Sequence, residues 1–69
     1  MERTRVHSPG LRAVGYDPAR RLLEIEFPDG SVYQYERVPP EPHRRFLAAT
    51  SKRSFFEDNI EEAYSRRRV

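Results

Sequence analysis

The sequence contains no cysteine and no tryptophan, and only three glycines occur among its 69 residues. The lack of cysteine excludes a small fold held together by disulfides. The longest apolar run is Phe46-Leu47-Ala48-Ala49, far short of the roughly 20 residues that a membrane-spanning helix needs. The first residues are charged and no apolar segment follows them. We therefore expect no secretory signal, no membrane partner and a cytoplasmic protein.

The chain is also poor in apolar residues, which make up 36% of the sequence. Ordering so short a chain costs on the order of 100 kcal/mol of conformational entropy, at about 1.5 kcal/mol per residue. We therefore expect one domain whose large apolar side chains are nearly all committed to its core: Leu11, Val14, Tyr16, Leu23, Ile25, Phe27, Tyr33, Tyr35, Val38, Phe46, Leu47, Phe56, Ile60 and Tyr64. Few remain to line an apolar pocket, so we expect no small-molecule substrate.

Residues 11–38 have the alternation of β-strands. Apolar side chains alternate with glutamates in the middle of this segment, in the order Leu23, Glu24, Ile25, Glu26 and Phe27. Asp17-Pro18-Ala19-Arg20 has the composition of a turn before this strand. The pattern predicts a three-stranded antiparallel meander with one buried face and one solvated face. Glu24 and Glu26 are predicted to lie on the solvated face.

The loop between the second and third predicted strands determines their register. Pro28-Asp29-Gly30 is typical of a three-residue hairpin loop with glycine in the left-handed conformation. This loop places Tyr33 and Tyr35 on the same face as the apolar residues of the preceding strand. A two-residue loop would shift the register by one and pair the tyrosines with glutamates, which the hydrophobic pattern disfavours. We therefore interpret Tyr33 and Tyr35 as core residues rather than as an exposed platform for stacking bases.

After Val38 the period becomes helical. Pro39-Pro40-Glu41-Pro42 is typical of a helix entry, and we predict a helix from there through Ala49. A second helix is predicted to start at Ser54, with Glu57 completing a capping box, and to bury Phe56, Ile60 and Tyr64. The predicted fold is α+β, with three strands followed by two helices on one face (β-β-β-α-α). Residues 1–9 are predicted as a flexible tail, 10–65 as the domain and 66–69 as a basic tail.

No group of residues has the pattern of a catalytic or metal site. The two histidines, His7 and His43, lack the spacing of zinc ligands. The three glycines are isolated, so no phosphate-binding loop is predicted. We expect no catalytic residues, no metal, no cofactor and no enzymatic activity.

Arginines near the C-terminus are the main candidates for binding. Guanidinium groups bind phosphate well, and the predicted RNA-binding residues are Arg66, Arg67, Arg68, Lys52 and Arg53. The alternative interpretation is a solvated surface, in which these arginines complement Glu62 and the end of a helix. The net charge of only +2 favours this alternative.

A second hypothesis is a module that binds another protein. The edge of the meander offers unpaired backbone groups. Phe55 falls outside the predicted apolar stripe of the second helix, so we expect it on an exposed side that a partner could cover.

Several motifs together resemble a known family. They are Val14-Gly15-Tyr16-Asp17, Leu23-x-Ile25-x-Phe27-x-x-Gly30, Tyr33-x-Tyr35-x-x-Val38-Pro39, Phe46-Leu47-x-Ala49, Ser51, Phe55-Phe56, Ile60 and Tyr64. This set resembles the KTSC domain family, short bacterial domains named after the C-terminal extension of some lysyl-tRNA synthetases. The resemblance covers about residues 8–64.

The resemblance implies a small stand-alone domain without an established activity. RNA binding is suggested for the family through its association with the synthetase, which is an analogy and not a mechanism. The family often has glycine two residues after the serine that matches Ser51, whereas this chain has Arg53. The arginine removes a permissive backbone position and adds a charge that attracts phosphate.

Overall fold

The computed structural model describes residues 2–69 and contains five strands and two helices. In chain order they are β1 (Thr4–Ser8), β2 (Leu11–Asp17), β3 (Leu22–Glu26), β4 (Val32–Tyr35), α1 (Pro40–Ala48), α2 (Lys52–Asn59) and β5 (Arg66–Arg68). The strands form one antiparallel sheet in the order β1-β2-β3-β4-β5. The fold is therefore α+β, but with five strands rather than the three predicted. Among residues 2–69, no helix is long and apolar enough to cross a membrane.

The two additional strands lie in the segments that were predicted to be tails. Residues 4–8 pair with β2, and residues 66–68 pair with β4. The only apolar residue of β1 is Val6, and β5 has none, so neither sequence shows the alternation of apolar and polar residues that marks a half-buried strand. The strands pair through their backbone N–H and C=O groups, so this pairing cannot be predicted from the pattern of side chains.

The predicted hairpin register is confirmed. Leu23 pairs with Tyr35 and Ile25 pairs with Tyr33. The Phe27 N–H donates to the Ser31 carbonyl oxygen at 2.9 Å, which closes a three-residue loop. Gly30 has φ +91°, the left-handed conformation that glycine adopts without steric cost.

The helices differ from the prediction at their ends. Ser51, not Ser54, caps α2, because its Oγ accepts from the Ser54 N–H at 3.4 Å. Ser54 lies inside the helix, so the predicted capping box is wrong. Ile60 is the C-terminal cap, and Tyr64 lies beyond the helix, half-buried against the core. Helical spacing placed Phe56, Ile60 and Tyr64 on one buried stripe, but α2 ends at Asn59, before the last two of them.

The core joins the sheet to both helices. Its fully buried large side chains come from β3, β4, α1, α2 and the segments that follow β4 and α2: Leu23, Ile25, Tyr35, Val38, Phe46, Phe56 and Ile60. Leu47, predicted to be buried, is 44% exposed, because its neighbour Phe46 takes the buried side of α1. Phe55, expected on an exposed side, is half-buried and packs near Phe46 at 6.0 Å between ring centres.

Candidate functional site

An open cleft of about 580 Å³ lies where the β3–β4 loop, β5 and α2 meet. Two aromatic rings, two arginines and two carboxylates line it: Phe27, Tyr33, Arg53, Arg66, Asp29 and Glu61. These residues are far apart in sequence and the sheet brings them together. We call this surface the arginine cleft.

Pairing between β4 and β5 places Arg66 in the arginine cleft. Tyr35 lies opposite Arg66 and Tyr33 lies opposite Arg68, and paired residues of an antiparallel sheet share a face. The guanidinium carbon of Arg66 lies 4.7 Å from the centre of the Tyr33 ring. This cation–π contact restricts an otherwise mobile side chain and leaves it exposed to solvent.

Arg53 reaches the arginine cleft from the first turn of α2. Its Nη1 donates to the Gly10 carbonyl oxygen at 3.2 Å, and its Nε donates to Glu57 at the same distance. The guanidinium carbon also lies 5.9 Å from the Phe27 ring centre. Gly10 has φ +83°, and a Cβ there would lie 3.1 Å from Arg53 Cδ. Arg53 is thus held in a fixed position rather than displayed on a loose loop.

The structure places the five predicted RNA-binding residues in different parts of the surface. Arg53 and Arg66 line the same cleft. Arg68 shares the sheet face of Arg66, whereas Arg67 pairs with Gln34 and lies on the opposite face. Lys52 points back to α1, where its Nζ donates to the Ala49 carbonyl oxygen at 3.3 Å. A single basic patch made of all five residues is therefore not formed.

The two predicted core tyrosines differ in their exposure. Tyr35 is fully buried, with its ring 5.6 Å from that of Phe56, whereas Tyr33 is half-buried at the arginine cleft. Burial raises the pKa of Tyr35, and the nearby Arg66 guanidinium opposes this only in part. Among residues 2–69, no atom meets the Tyr35 hydroxyl at hydrogen-bonding geometry. Tyr35 is therefore a core residue, while Tyr33 forms part of the surface of the arginine cleft.

The carboxylates of the arginine cleft have different partners. Asp29 accepts from the Ser31 N–H at 2.9 Å and from the Ser31 hydroxyl at 2.6 Å. These bonds lower the pKa of Asp29, with a smaller contribution from Arg68. Glu61 is half-buried, and its backbone N–H donates to the Phe56 carbonyl oxygen at 2.8 Å at the end of α2. Sequence reasoning identified Asp29 only as part of the hairpin loop, and it missed Glu61 because no local motif contains that residue.

A second polar group lies on the other face of the sheet. Glu24, predicted to be solvated, is only 5% exposed. Burial raises the pKa of Glu24, but hydrogen bonds from Gln34, at 3.0 Å, and from Arg3 outweigh it and lower the pKa overall. Arg3 comes from the segment predicted as a tail, and the arrangement explains why a glutamate can be buried here.

Comparison with known proteins identifies the family to which the sequence motifs belong. The KTSC domain family model matches residues 7–64, most of the chain. The chain belongs to the KTSC domain family. The KTSC domain protein from Yersinia pestis has a crystal structure that resembles this one with a TM-score of 0.96 and 38% sequence identity, over 99% of this chain and 96% of that one.

Two bacterial relatives also match most of this KTSC domain. An uncharacterized protein from Stutzerimonas stutzeri (strain A1501) is 47% identical over 51 residues, which are 74% of this chain and 72% of the relative. A protein from Tsukamurella paurometabola is 44% identical over 50 residues, which are 72% of this chain and 75% of the relative. These similarities establish the family and its fold, and they assign no activity.

Proposed function

We propose that this KTSC domain is a noncatalytic module that binds single-stranded RNA weakly at the arginine cleft. The observation that carries the proposal is the Arg66 guanidinium, held 4.7 Å over the Tyr33 ring in the same cleft as Arg53. Guanidinium groups contact phosphates, and their planes also stack on unpaired bases. A base can reach such a plane only when it is not stacked in a duplex, which favours single strands.

The electrostatics of the cleft favour low affinity. Arg53 is already paired with Glu57, and Asp29 and Glu61 lie among the arginines. We expect two or three phosphate contacts, from Arg53, Arg66 and Arg68. At roughly −0.7 per phosphate on a single strand, log affinity should fall against log salt with a slope of about −1.4 to −2.1.

The test is an NMR titration of the isotope-labelled protein with an oligouridylate at low salt. We expect the largest shift changes at Tyr33, Arg53, Glu61 and Arg66. Arg66→Gln and Arg67→Gln form a matched pair, since both remove one exposed arginine from β5 but on opposite faces of the sheet. Arg66→Gln should reduce the magnitude of the salt slope by about 0.7, and Arg67→Gln should change it much less.

The alternative function, a protein-interaction module, is favoured by the two sheet edges. Strands β1 and β5 end the sheet, and an edge strand can pair with an extended segment of another protein. The side of α2 that bears Phe55 is a weaker candidate, because Phe55 packs against the core. The arginine cleft would not be an RNA site if RNA at low salt produced no change in chemical shifts. The same conclusion would follow if Arg66→Gln and Arg67→Gln changed the salt slope of RNA affinity equally.

A further inference from the structure

We propose that the arginine cleft prefers guanine, whose Watson–Crick edge would be bound by the carboxylate of Glu61. This inference rests on the proposed RNA binding and names the base that the same site selects. Three features of the cleft support it: an uncommitted carboxylate, a guanidinium plane beside it, and arginines able to hold the phosphate.

Glu61 is the cleft carboxylate that is free to meet a ligand. Asp29 is committed to Ser31 through two hydrogen bonds. Among residues 2–69, Glu61 forms no salt bridge, and Arg53, the arginine of α2, is paired with Glu57 instead. The end of α2 fixes the Glu61 backbone, through the 2.8 Å bond from its N–H to the Phe56 carbonyl oxygen.

A carboxylate beside phosphate-binding arginines weakens binding unless it contacts something other than phosphate. An ionised carboxylate is an acceptor only. Guanine presents two adjacent donors, N1–H and the N2 amino group, which two carboxylate oxygens can accept together. Adenine and cytosine each pair one amino donor with a ring-nitrogen acceptor, and uracil has its one N–H between two carbonyl acceptors. Only guanine therefore satisfies both oxygens of Glu61.

The neighbouring groups can place such a base. Tyr33 supports the Arg66 guanidinium at 4.7 Å, and a base stacked on this plane lies in the same cleft as Glu61. The pKa of Arg66 is raised mainly by the nearby Tyr35 hydroxyl, and the negative charge of Glu61 adds the smallest contribution. Arg53 uses two of its five N–H donors on Gly10 and Glu57, and the others remain for a phosphate.

The experiment compares three short RNAs that differ only in the central base of an oligouridylate: guanine, hypoxanthine or adenine. Hypoxanthine keeps N1–H and lacks the N2 amino group, so it tests the second hydrogen bond alone. Titrations by NMR or fluorescence anisotropy should rank affinity as guanine, then hypoxanthine, then adenine. We expect at least about tenfold between guanine and adenine, the range of one good bidentate contact.

Glu61→Gln and Glu62→Gln are the matched variants. Each removes one negative charge from neighbouring positions, but Glu62 is exposed and does not line the cleft. Glu61→Gln should abolish the preference for guanine and leave binding of the plain oligouridylate equal or tighter, since a charge that repels phosphate is lost. Glu62→Gln should keep the preference.

The possible results separate this inference from the proposed function. Equal affinity for the three RNAs would refute guanine selection while RNA binding stood. A guanine preference that survived Glu61→Gln would show that Glu61 does not contact the base. No binding of any RNA by the wild-type protein would overturn both proposals. The comparison of bases on wild-type protein does not depend on how any variant folds.

Discussion

The rings of Tyr16 and His43 stack 4.3 Å apart with their planes at 16°. The Tyr16 hydroxyl also donates to the Val38 carbonyl oxygen at 2.6 Å. Tyr16 belongs to β2 and His43 to α1, so this contact joins the first helix to the sheet. His43, one of the two histidines without zinc-ligand spacing, is thus a packing residue with a titratable ring.

The stack predicts that the protein is less stable in mild acid. Burial lowers the pKa of His43 below its ordinary value of 6.5, because the charged imidazolium is poorly solvated there. The unfolded chain then binds the proton more readily than the folded one. The contribution of His43 to stability is complete well above pH 6.5 and declines as the pH falls below 6.5 towards the folded-state pKa. Urea denaturation between pH 7.5 and 5.5 measures it.

The control for this prediction is His43→Phe, which keeps an aromatic ring on Tyr16 and removes the titration. We expect the stability of this variant to decline less than that of the wild type between pH 7.5 and 5.5, because the contribution of His43 is absent. His7 lies in β1, and His7→Phe serves as the matched replacement of the other histidine. An unchanged pH dependence in His43→Phe would contradict the prediction.

The capping of α2 gives a second prediction. Ser51→Ala removes the side chain that accepts the Ser54 N–H, and should lower the free energy of unfolding by about 1 kcal/mol. Ser54→Ala removes only a hydroxyl inside the helix, bonded to Ser51 Oγ at 3.0 Å, and should cost less. Thermal or chemical unfolding of the two variants distinguishes them. A larger loss for Ser54→Ala would restore the capping box predicted from the sequence.

The third prediction concerns the ring and the hydroxyl of Tyr35. Tyr35→Ala removes a fully buried ring and should cost about 3–5 kcal/mol. Tyr35→Phe removes a buried hydroxyl that has no partner among residues 2–69. Because only the nearby Arg66 guanidinium offsets the desolvation of that hydroxyl, and only in part, we expect Tyr35→Phe to equal wild-type stability or exceed it by up to about 1 kcal/mol. Denaturation curves of both variants measure the difference, and a large loss in Tyr35→Phe would reveal a bond to the hydroxyl.

Local patterns in the sequence were sufficient for the central hairpin. Alternation over residues 23–27 and the Pro28-Asp29-Gly30 loop allow only one register that buries every apolar side chain, and Leu23 pairs with Tyr35 as predicted. The proline-rich entry of α1 was also predicted correctly, since Pro40 is its first residue. These features depend on neighbours in sequence, and such information is readable without a structure.

The sequence by itself therefore determined the β3–β4 hairpin, the helical segments and most of the buried side chains. Tertiary structure alone decided that the terminal segments are strands β1 and β5, because backbone pairing of exposed residues leaves no periodic signal. It also decided that Arg66, Tyr33, Arg53 and Glu61 share one cleft while Arg67 and Lys52 lie elsewhere. That grouping depends on the position of the end of α2 and on the pairing of β5 with β4. The paired residues of β4 and β5 are about 30 positions or more apart in sequence, so no local pattern encodes their contact.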